Sequence, residues 1–297
     1  MYEQISRNKW KSFLLVTFFF ALIFSLTWVF GRLTGFGPHA LILAGIVSVA
    51  MAFGSYYASD KIVLAISQAK PVEKKDYPYL YNVVEGLAIA AGLPKPRCYI
   101  IDDTAPNAFA SGRNPRNSVV VVTKGLLEKL NRIELEGVMA HEMSHIKNYD
   151  VLLQTLAVVM VGVVALLSDW FLRSFFWGGG RRRRDSKGGG NAAAIFILVG
   201  LLLAVFSPLI AQLLRLASSR KREFLADANG ALLTRYPPGL ASAHRKISDD
   251  KEPLEAANKA TAHLYIINPL LEYRGKVNKL FSTHPPVEER IAALDKM

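Results

Sequence analysis

The 297-residue sequence contains a single cysteine, Cys98. An internal disulfide is therefore impossible, and the polar part of the chain need not lie in an oxidising compartment. The sequence also lacks internal repeats, and it has no basic stripe interleaved with residues that could read bases. Its net charge of +12 therefore does not predict a nucleic-acid partner. Most of the positive charge instead lies beside apolar runs, where it can face the lipid headgroups of a bilayer.

Hydrophobic residues make up 51% of the chain and are concentrated in four runs. These are residues 12–30, 40–58, 151–172 and 192–214. Each has about the 20 residues needed to cross ~30 Å of hydrocarbon, so the pattern predicts a mainly α-helical membrane protein with about four transmembrane helices. A cleaved signal peptide is the alternative for the first run, but the run is too long and no small-x-small site ends it. Buried helices are the alternative for the last two runs, because Gln154 and Asp169 interrupt the third.

The runs divide the chain into four segments. Residues 1–59 are predicted to form an N-terminal transmembrane hairpin, and residues 151–214 a second apolar hairpin. Within the second hairpin, the Gly- and Arg-rich stretch 177–191 cannot bury enough apolar surface to fold, which predicts a flexible connector. The polar segments 60–150 and 215–297 are predicted to be the two parts of one small α+β domain.

The motif His-Glu-Met-Ser-His at residues 141–145 is the first candidate for chemistry. Asn131 followed by Glu134 is the signature of a helix N-terminus, so a helix should run from there through His145. His141 and His145 then lie one turn apart on one face and can bind one zinc ion. A zinc ion with an open coordination position activates water, and Glu142 can take the proton of that water as general base. For the motif alone, the alternative is a surface helix that carries two histidines by chance.

A catalytic zinc usually has three protein ligands, so a third must come from elsewhere in the chain. The stretch Arg-Lys-Arg-Glu-Phe-Leu-Ala-Asp-Ala at residues 220–228 places Glu223 and Asp227 four residues apart on a predicted helix. Glu223 is the strongest candidate for the third ligand. Asp227 is a candidate acceptor for the outer N–H of a ligand histidine, which would fix the tautomer of that ring.

Together these motifs resemble the HtpX-type membrane zinc metalloproteases, relatives of the CAAX prenyl endopeptidases within the gluzincin group. The resemblance covers nearly the whole chain, including Pro-Asn-Ala-Phe-Ala-Ser-Gly at 106–112 and Ser-Thr-His-Pro-Pro-Val-Glu-Glu-Arg-Ile at 282–291. It implies a gluzincin-type protease domain with one zinc ion per chain, bound by His141, His145 and Glu223, and Glu142 as the base. It also implies endoproteolysis of misfolded or damaged membrane proteins during envelope stress.

Two residues of the last motif are predicted to be catalytic, mainly on the strength of the resemblance. His284 is held extended by the proline that follows it, and Arg290 lies in the helix that begins after the proline pair. Either side chain could donate to the oxyanion formed during peptide hydrolysis. The alternative is a histidine at a helix start and an arginine on the surface.

The stretch around residue 108 is predicted to bind substrate. Asn107, Ala108, Phe109 and Ala110 would lie on an edge strand to which a substrate chain adds, with backbone hydrogen bonds that tolerate many sequences. An ordinary surface hairpin is the alternative.

Charge asymmetry predicts which side of the membrane the polar domain faces. Twelve Lys and Arg residues lie between residues 60 and 150, and Arg7, Lys9 and Lys11 precede the first run, whereas Arg32 alone lies in the first loop. This predicts a protease domain in the cytoplasm, and the resemblance implies a multi-pass protein of the cell (inner) membrane. Because His141 and Glu223 must bind one ion, zero or two crossings separate them. Two crossings would place the four arginines at 181–184 outside the cytoplasm, which opposes the tendency of positive residues to lie on the cytoplasmic side.

The lipid bilayer and membrane-protein substrates are the expected partners, and the oligomeric state cannot be read from the sequence. Two alternatives keep the membrane fold but change the function. One is a protease that processes prenylated CAAX proteins, and the other is a catalytically silent assembly factor. A transporter is disfavoured, because the runs carry few ionisable residues.

Overall fold

The computed structural model describes residues 2–33, 38–163, 219–257, 261–269 and 285–297. The predicted connector 177–191, the fourth apolar run, the third run beyond residue 163, and His284 lie outside the described residues. The predictions that concern them stay predictions.

The described residues are mainly helical and contain one small sheet. The helices are α1 (Tyr2–Leu33), α2 (His39–Tyr57), α3 (Ser59–Ile66), α4 (Pro78–Ala91), α5 (Lys124–Lys129), α6 (Arg132–Lys147), α7 (Asp150–Val163), α8 (Arg220–Thr234), α9 (Pro237–Asp249) and α10 (Val287–Leu294). The strands are β1 (Lys70–Pro71), β2 (Arg97–Ile101), β3 (Ala108–Asn114) and β4 (Asn117–Thr123), in the order β1-β2-β4-β3. β2 and β4 are parallel, and the outer strands β1 and β3 pair antiparallel.

The first two helices carry the apolar surface expected of a membrane hairpin. Among the described residues, α1 is the helix long and apolar enough to cross a bilayer on its own, over Glu3–Val29. Two bent pairs, α2 with α3 (69°) and α6 with α7 (82°), would raise the number of candidate spans to three if each pair counts as one. Large apolar side chains of α1 and α2 are exposed, among them Trp10, Phe13, Ile42, Ile46 and Phe53. Four transmembrane helices therefore remain a prediction.

The third apolar run begins inside the protein. Residues 151–160 of α7 are all buried. On one side, Leu152, Leu153 and Leu156 pack against α1, which contributes Leu15 and Phe19. This part of the run is apolar because it is enclosed by protein, as the buried-helix alternative anticipates.

α6 begins with the predicted capping box. The Asn131 side chain accepts a hydrogen bond from the Glu134 amide (3.0 Å), and the Glu134 carboxylate accepts one from the Asn131 amide (2.8 Å). The same carboxylate accepts hydrogen bonds from Lys246 and Ser242 of α9, each at 2.7 Å. The start of α6 is therefore capped and joined to α9 through one buried glutamate.

Two glycines allow the neighbouring helices to approach α6 closely. A Cβ atom on Gly137 would lie 2.8 Å from the backbone nitrogen of Leu240 in α9. A Cβ atom on Gly230 of α8 would lie 3.0 Å from the backbone nitrogen of His141. α8 and α9 therefore pack so closely against α6 that a larger residue at either position would require the backbone to shift.

We expect Gly137→Ala to destabilise the protein and Gly86→Ala not to. The alanine methyl at 137 must displace the α9 backbone, and such overpacking lowers the free energy of unfolding by about 1–3 kcal/mol. Gly86 lies on the exposed face of α4 with no atom within 4 Å of an added Cβ, so alanine there should stabilise by up to ~1 kcal/mol. Thermal unfolding of the detergent-solubilised proteins measures both effects. A Gly137→Ala protein that melts at the wild-type temperature would contradict the close contact at Gly137.

Candidate active site

Three buried side chains from two helices converge inside the α+β domain. α6 supplies His141 and His145, and α8 supplies Glu223. The Nε2 atoms of the two histidines are 3.1 Å apart; Glu223 Oε2 lies 3.7 Å from that of His141, and Glu223 Oε1 lies 3.7 Å from that of His145. The ligand atoms of the three side chains all lie within 4.8 Å of one another, close enough to bind one metal ion.

Each histidine has a carboxylate behind it. The Nδ1 atom of His141 is 2.8 Å from Asp227 Oδ1, and the Nδ1 atom of His145 is 3.1 Å from Asp150 Oδ2. An ionised carboxylate only accepts hydrogen bonds, so each Nδ1 carries the hydrogen and donates it. In the neutral rings, both Nε2 atoms then present lone pairs toward each other and toward Glu223.

This arrangement fits a divalent metal ion such as zinc. Facing lone pairs and a carboxylate repel one another in a buried site unless a positive charge, from a proton or a metal ion, lies between them. Bonds of about 2.0–2.2 Å at tetrahedral angles would place zinc ligand atoms about 3.4 Å apart. The observed separations of 3.1 and 3.7 Å bracket that value. Two imidazoles and one carboxylate are also a donor set that zinc accepts in catalytic sites.

Arg290 is buried behind the site and holds Asp227 in place. Its Nε donates to Asp227 Oδ2 (2.7 Å), its Nη2 donates to Oδ1 (2.6 Å), and its Nη1 donates to the carbonyl of Ile266 (2.8 Å). Burial opposes the ionisation of Asp227, but the Arg290 charge and these hydrogen bonds outweigh it and hold the pKa well below the usual range. Because these donors already have partners, the structure shows Arg290 as the partner of Asp227. Its donation to an oxyanion stays a prediction.

Glu142 lies in the wall of the same site and is almost fully buried. The backbone N–H of Ala110 in β3 donates to its carboxylate. Burial, together with the nearby charge of Glu223, raises the pKa of Glu142 to about 7. The side chain therefore lies near the metal ligands and next to β3.

The two histidines differ in their affinity for a proton. Burial lowers the pKa of His141 to about 4. Burial also opposes protonation of His145, but its hydrogen bond with Asp150 and the charge of Glu223 outweigh burial and raise that pKa to about 9. The carboxylates around the site therefore favour one positive charge between the two rings.

β3 is an outer strand, as predicted, but its outer edge is engaged. The four residues predicted to bind substrate, Asn107 to Ala110, are buried. The carbonyl of Ala108 accepts from the Ile266 amide (2.9 Å), the Ala110 amide donates to Glu142, and the Gly112 amide donates to Thr155 Oγ1 (3.2 Å). Folded proteins commonly cover strand edges in this way, because open edges pair with other chains. Substrate binding along this edge stays a prediction.

Two residues that contribute to the site are not evident from the sequence motifs. Asp150 lies five residues after His145 in sequence, beyond the end of α6, where the chain bends by 82° into α7 with Tyr149 in the left-handed region (φ 59°). Asn8 lies 142 residues before Asp150 and donates to it at 2.7 Å. A carboxylate soon after the second histidine was a signal for Asp150, whereas nothing local indicates Asn8.

Comparison with known proteins decides the family. The model of peptidase family M48 matches residues 74–297, a range that contains all the residues of the metal cluster. The chain belongs to peptidase family M48. This M48 peptidase is therefore a metalloprotease that hydrolyses peptide bonds, which confirms the enzyme class and the resemblance indicated by the motifs.

Relatives match this M48 peptidase over its whole length. "Protease HtpX homolog" of Dictyoglomus turgidum is 49% identical over 296 residues, which are 100% of this chain and 94% of the relative. The protein of the same name from Caldanaerobacter subterraneus is 43% identical and matches 100% of this chain and 98% of its own. The crystal structure of S. mikatae Ste24p is 19% identical with a TM-score of 0.49, covering 99% of this chain and 67% of Ste24p.

Separate substitutions of Glu142 and Glu223 should distinguish metal binding from catalysis. Glu142→Gln removes the base but keeps all three candidate ligands, and the amide oxygen can still accept from Ala110. We therefore expect bound metal with proteolysis abolished. Glu223→Ala removes a ligand, so the purified protein should contain little metal. Elemental analysis and a casein cleavage assay on each variant measure both outcomes. Loss of metal from Glu142→Gln would refute its role as base, and full metal retention in Glu223→Ala would show that the third ligand lies elsewhere.

Proposed function

We propose that this metalloprotease is a zinc endopeptidase of the inner membrane that cleaves misfolded or damaged membrane proteins in their cytoplasmic segments. The observation that carries the proposal is the position of the metal cluster. His145 lies at the end of α6, next to the turn into α7, and α7 packs directly against the candidate membrane helix α1. The site is therefore built into the junction between the protease domain and the membrane hairpin.

Zinc bound by His141, His145 and Glu223 would supply Lewis-acid activation of the water and of the substrate carbonyl. Glu142 takes the proton from the attacking water and later delivers it to the leaving amine. The backbone amide of Ala110 faces the Glu142 carboxylate and favours its ionised form. Asp227 and Asp150 hold the two imidazoles with their Nε2 atoms directed at the metal position.

The contacts of the membrane hairpin support a cytoplasmic active site. Asn8, near the start of α1, contacts the turn that follows α6. At the other end of the hairpin, Arg113 of β3 donates to the carbonyl of Tyr57, the last residue of α2 (3.0 Å). The N-terminus of α1 and the C-terminus of α2 therefore both lie on the protease side. The positive charge of the N-terminus then favours the cytoplasm for this side.

Substrate binding by strand addition is part of the proposal. A substrate backbone would pair with β3 at Asn107 to Ala110, which lies beside Glu142. The position next to Ala108 is held by Ile266, so the 261–269 segment would have to move before a substrate strand could pair there. Backbone pairing would make cleavage tolerant of sequence, as quality control requires.

Neither alternative function is favoured by the comparisons. The complete ligand set with Glu142 beside it supports catalysis over a silent assembly factor. Relatives that share 41%, 43% and 49% identity with the chain are named HtpX homologues. A role in processing prenylated proteins has no specific observation to support it.

Proximity to the bilayer should act as the specificity filter. In proteoliposomes, we expect a flexible cytoplasmic segment to be cut much faster when a transmembrane helix anchors it than when it is free. The reason is that a tether of matching length raises the local substrate concentration to the millimolar range. Cleavage should also slow as the spacer between helix and cut site grows well beyond the optimum.

The control is the identical segment, released from its helix before the assay and used at the same total concentration. The Glu142→Gln enzyme provides the blank for contaminating proteases. Equal rates for the anchored and released segments would refute the proposal that proximity to the bilayer determines specificity, although the enzyme would still be a protease.

A further inference from the structure

The start of α1 contacts the turn that leads out of the zinc-binding helix. The Asn8 side-chain amide donates to the carbonyl of Asn148 (2.9 Å) and to Asp150 Oδ1 (2.7 Å). Next to Asn8 in sequence, the Lys9 ammonium lies 4.4 Å from the centre of the Tyr149 ring. All three residues of the 148–150 turn are therefore contacted by the first two turns of α1.

Asp150 connects this turn to the metal site. One of its oxygens, Oδ2, accepts from His145 Nδ1 at 3.1 Å, while Oδ1 accepts from Asn8 and lies 3.4 Å from Nη1 of Arg222. Asn8, Asp150 and His145 are all at least 95% buried. A carboxylate rotates about a single bond, so a partner that fixes Oδ1 also fixes the direction in which Oδ2 faces the imidazole.

The position of Asn8 is itself set by the packing of α1. Below Asn8 on the same helix, Leu15, Phe19 and Ile23 pack against Leu152 and Leu156 of α7. A displacement of α1 relative to α7 would therefore withdraw the Asn8 amide from Asp150. Chemically, the chain of contacts runs from the membrane helix through an amide and a carboxylate to an imidazole.

We propose that Asn8 is a positioning residue for the metal ligand His145, acting through Asp150, so that the metal centre is complete only when the first membrane helix is docked. This inference rests on the proposed function, because it requires that His145 binds the metal. It assigns a role in metal binding to a helix that is distant in sequence from the metal motifs and would otherwise serve as an anchor.

Zinc affinity of the full-length protein in detergent, measured by competition with a chromogenic chelator, tests the proposal. Asp150→Asn should weaken zinc binding about 10- to 100-fold, and Asn8→Ala about tenfold, the range found for outer partners of metal ligands. Ser12→Ala is the matched control. Ser12 is a buried residue one turn further along α1, its hydroxyl has no hydrogen-bond partner among the described residues, and its loss should leave the affinity unchanged.

The double variant Asn8→Ala with Asp150→Asn distinguishes positioning from general structural support. If Asn8 acts through Asp150, its substitution should have little further effect once Asp150 is changed. Additive losses, or an Asn8→Ala protein that binds zinc as tightly as Ser12→Ala, would overturn the inference. If Asn8→Ala does not fold, the nearly isosteric Asn8→Asp, which replaces the amide donor to Asp150 with a carboxylate, carries the test, and wild-type affinity in that variant would refute the inference. Failure of the wild-type protein to bind zinc would instead refute the proposed function.

Discussion

Two imidazole nitrogens and a carboxylate face one another across less than 4 Å in the interior of this protein, and their need for a positive charge among them, from a proton or a metal ion, is the constraint on which the rest of the site depends. A cation between them turns the same arrangement into three favourable bonds. Much of the surrounding structure keeps the groups close together. α8 reaches α6 closely enough to present Glu223 because Gly230 has no side chain at the point of contact with His141.

Behind the candidate metal ligands lie two buried carboxylates, Asp227 and Asp150, each with its own hydrogen-bond donors. Asp227 is held by Arg290 of α10, and Asp150 is held by Asn8 of α1, with Arg222 of α8 nearby. Buried carboxylates are stable only when such partners satisfy them. Because the partners come from widely separated parts of the chain, the metal site is completed only when the protease domain and the membrane hairpin have assembled.

The parts of the structure encoded by local pattern could be predicted from the sequence. The spacing of His141 and His145 places them on one helical face, and Asn131 with Glu134 marks the start of that helix, as the structure confirms. The Glu223 and Asp227 pair was found in the same way. Tertiary contacts could not be predicted so directly. Asn8 reaches the site from the N-terminal end of the chain with no local signal. Arg290 was named from the resemblance as an oxyanion donor, but its pairing with Asp227 was not predicted. The engagement of the β3 edge by Ile266 depends on tertiary packing that no local motif indicates. The apolar run at 151–160 resembles a membrane span in composition, yet it is enclosed by protein.

The effect of zinc on thermal stability tests the central claim most directly. The Glu142→Gln protein, which should not digest itself, is melted after treatment with a chelator and again after zinc is restored. If the cluster requires a cation, zinc should raise the melting temperature, and the rise should grow with free zinc concentration as expected for a ligand that binds only the folded state. An unchanged melting temperature across that range would contradict the claim that His141, His145 and Glu223 form a metal site.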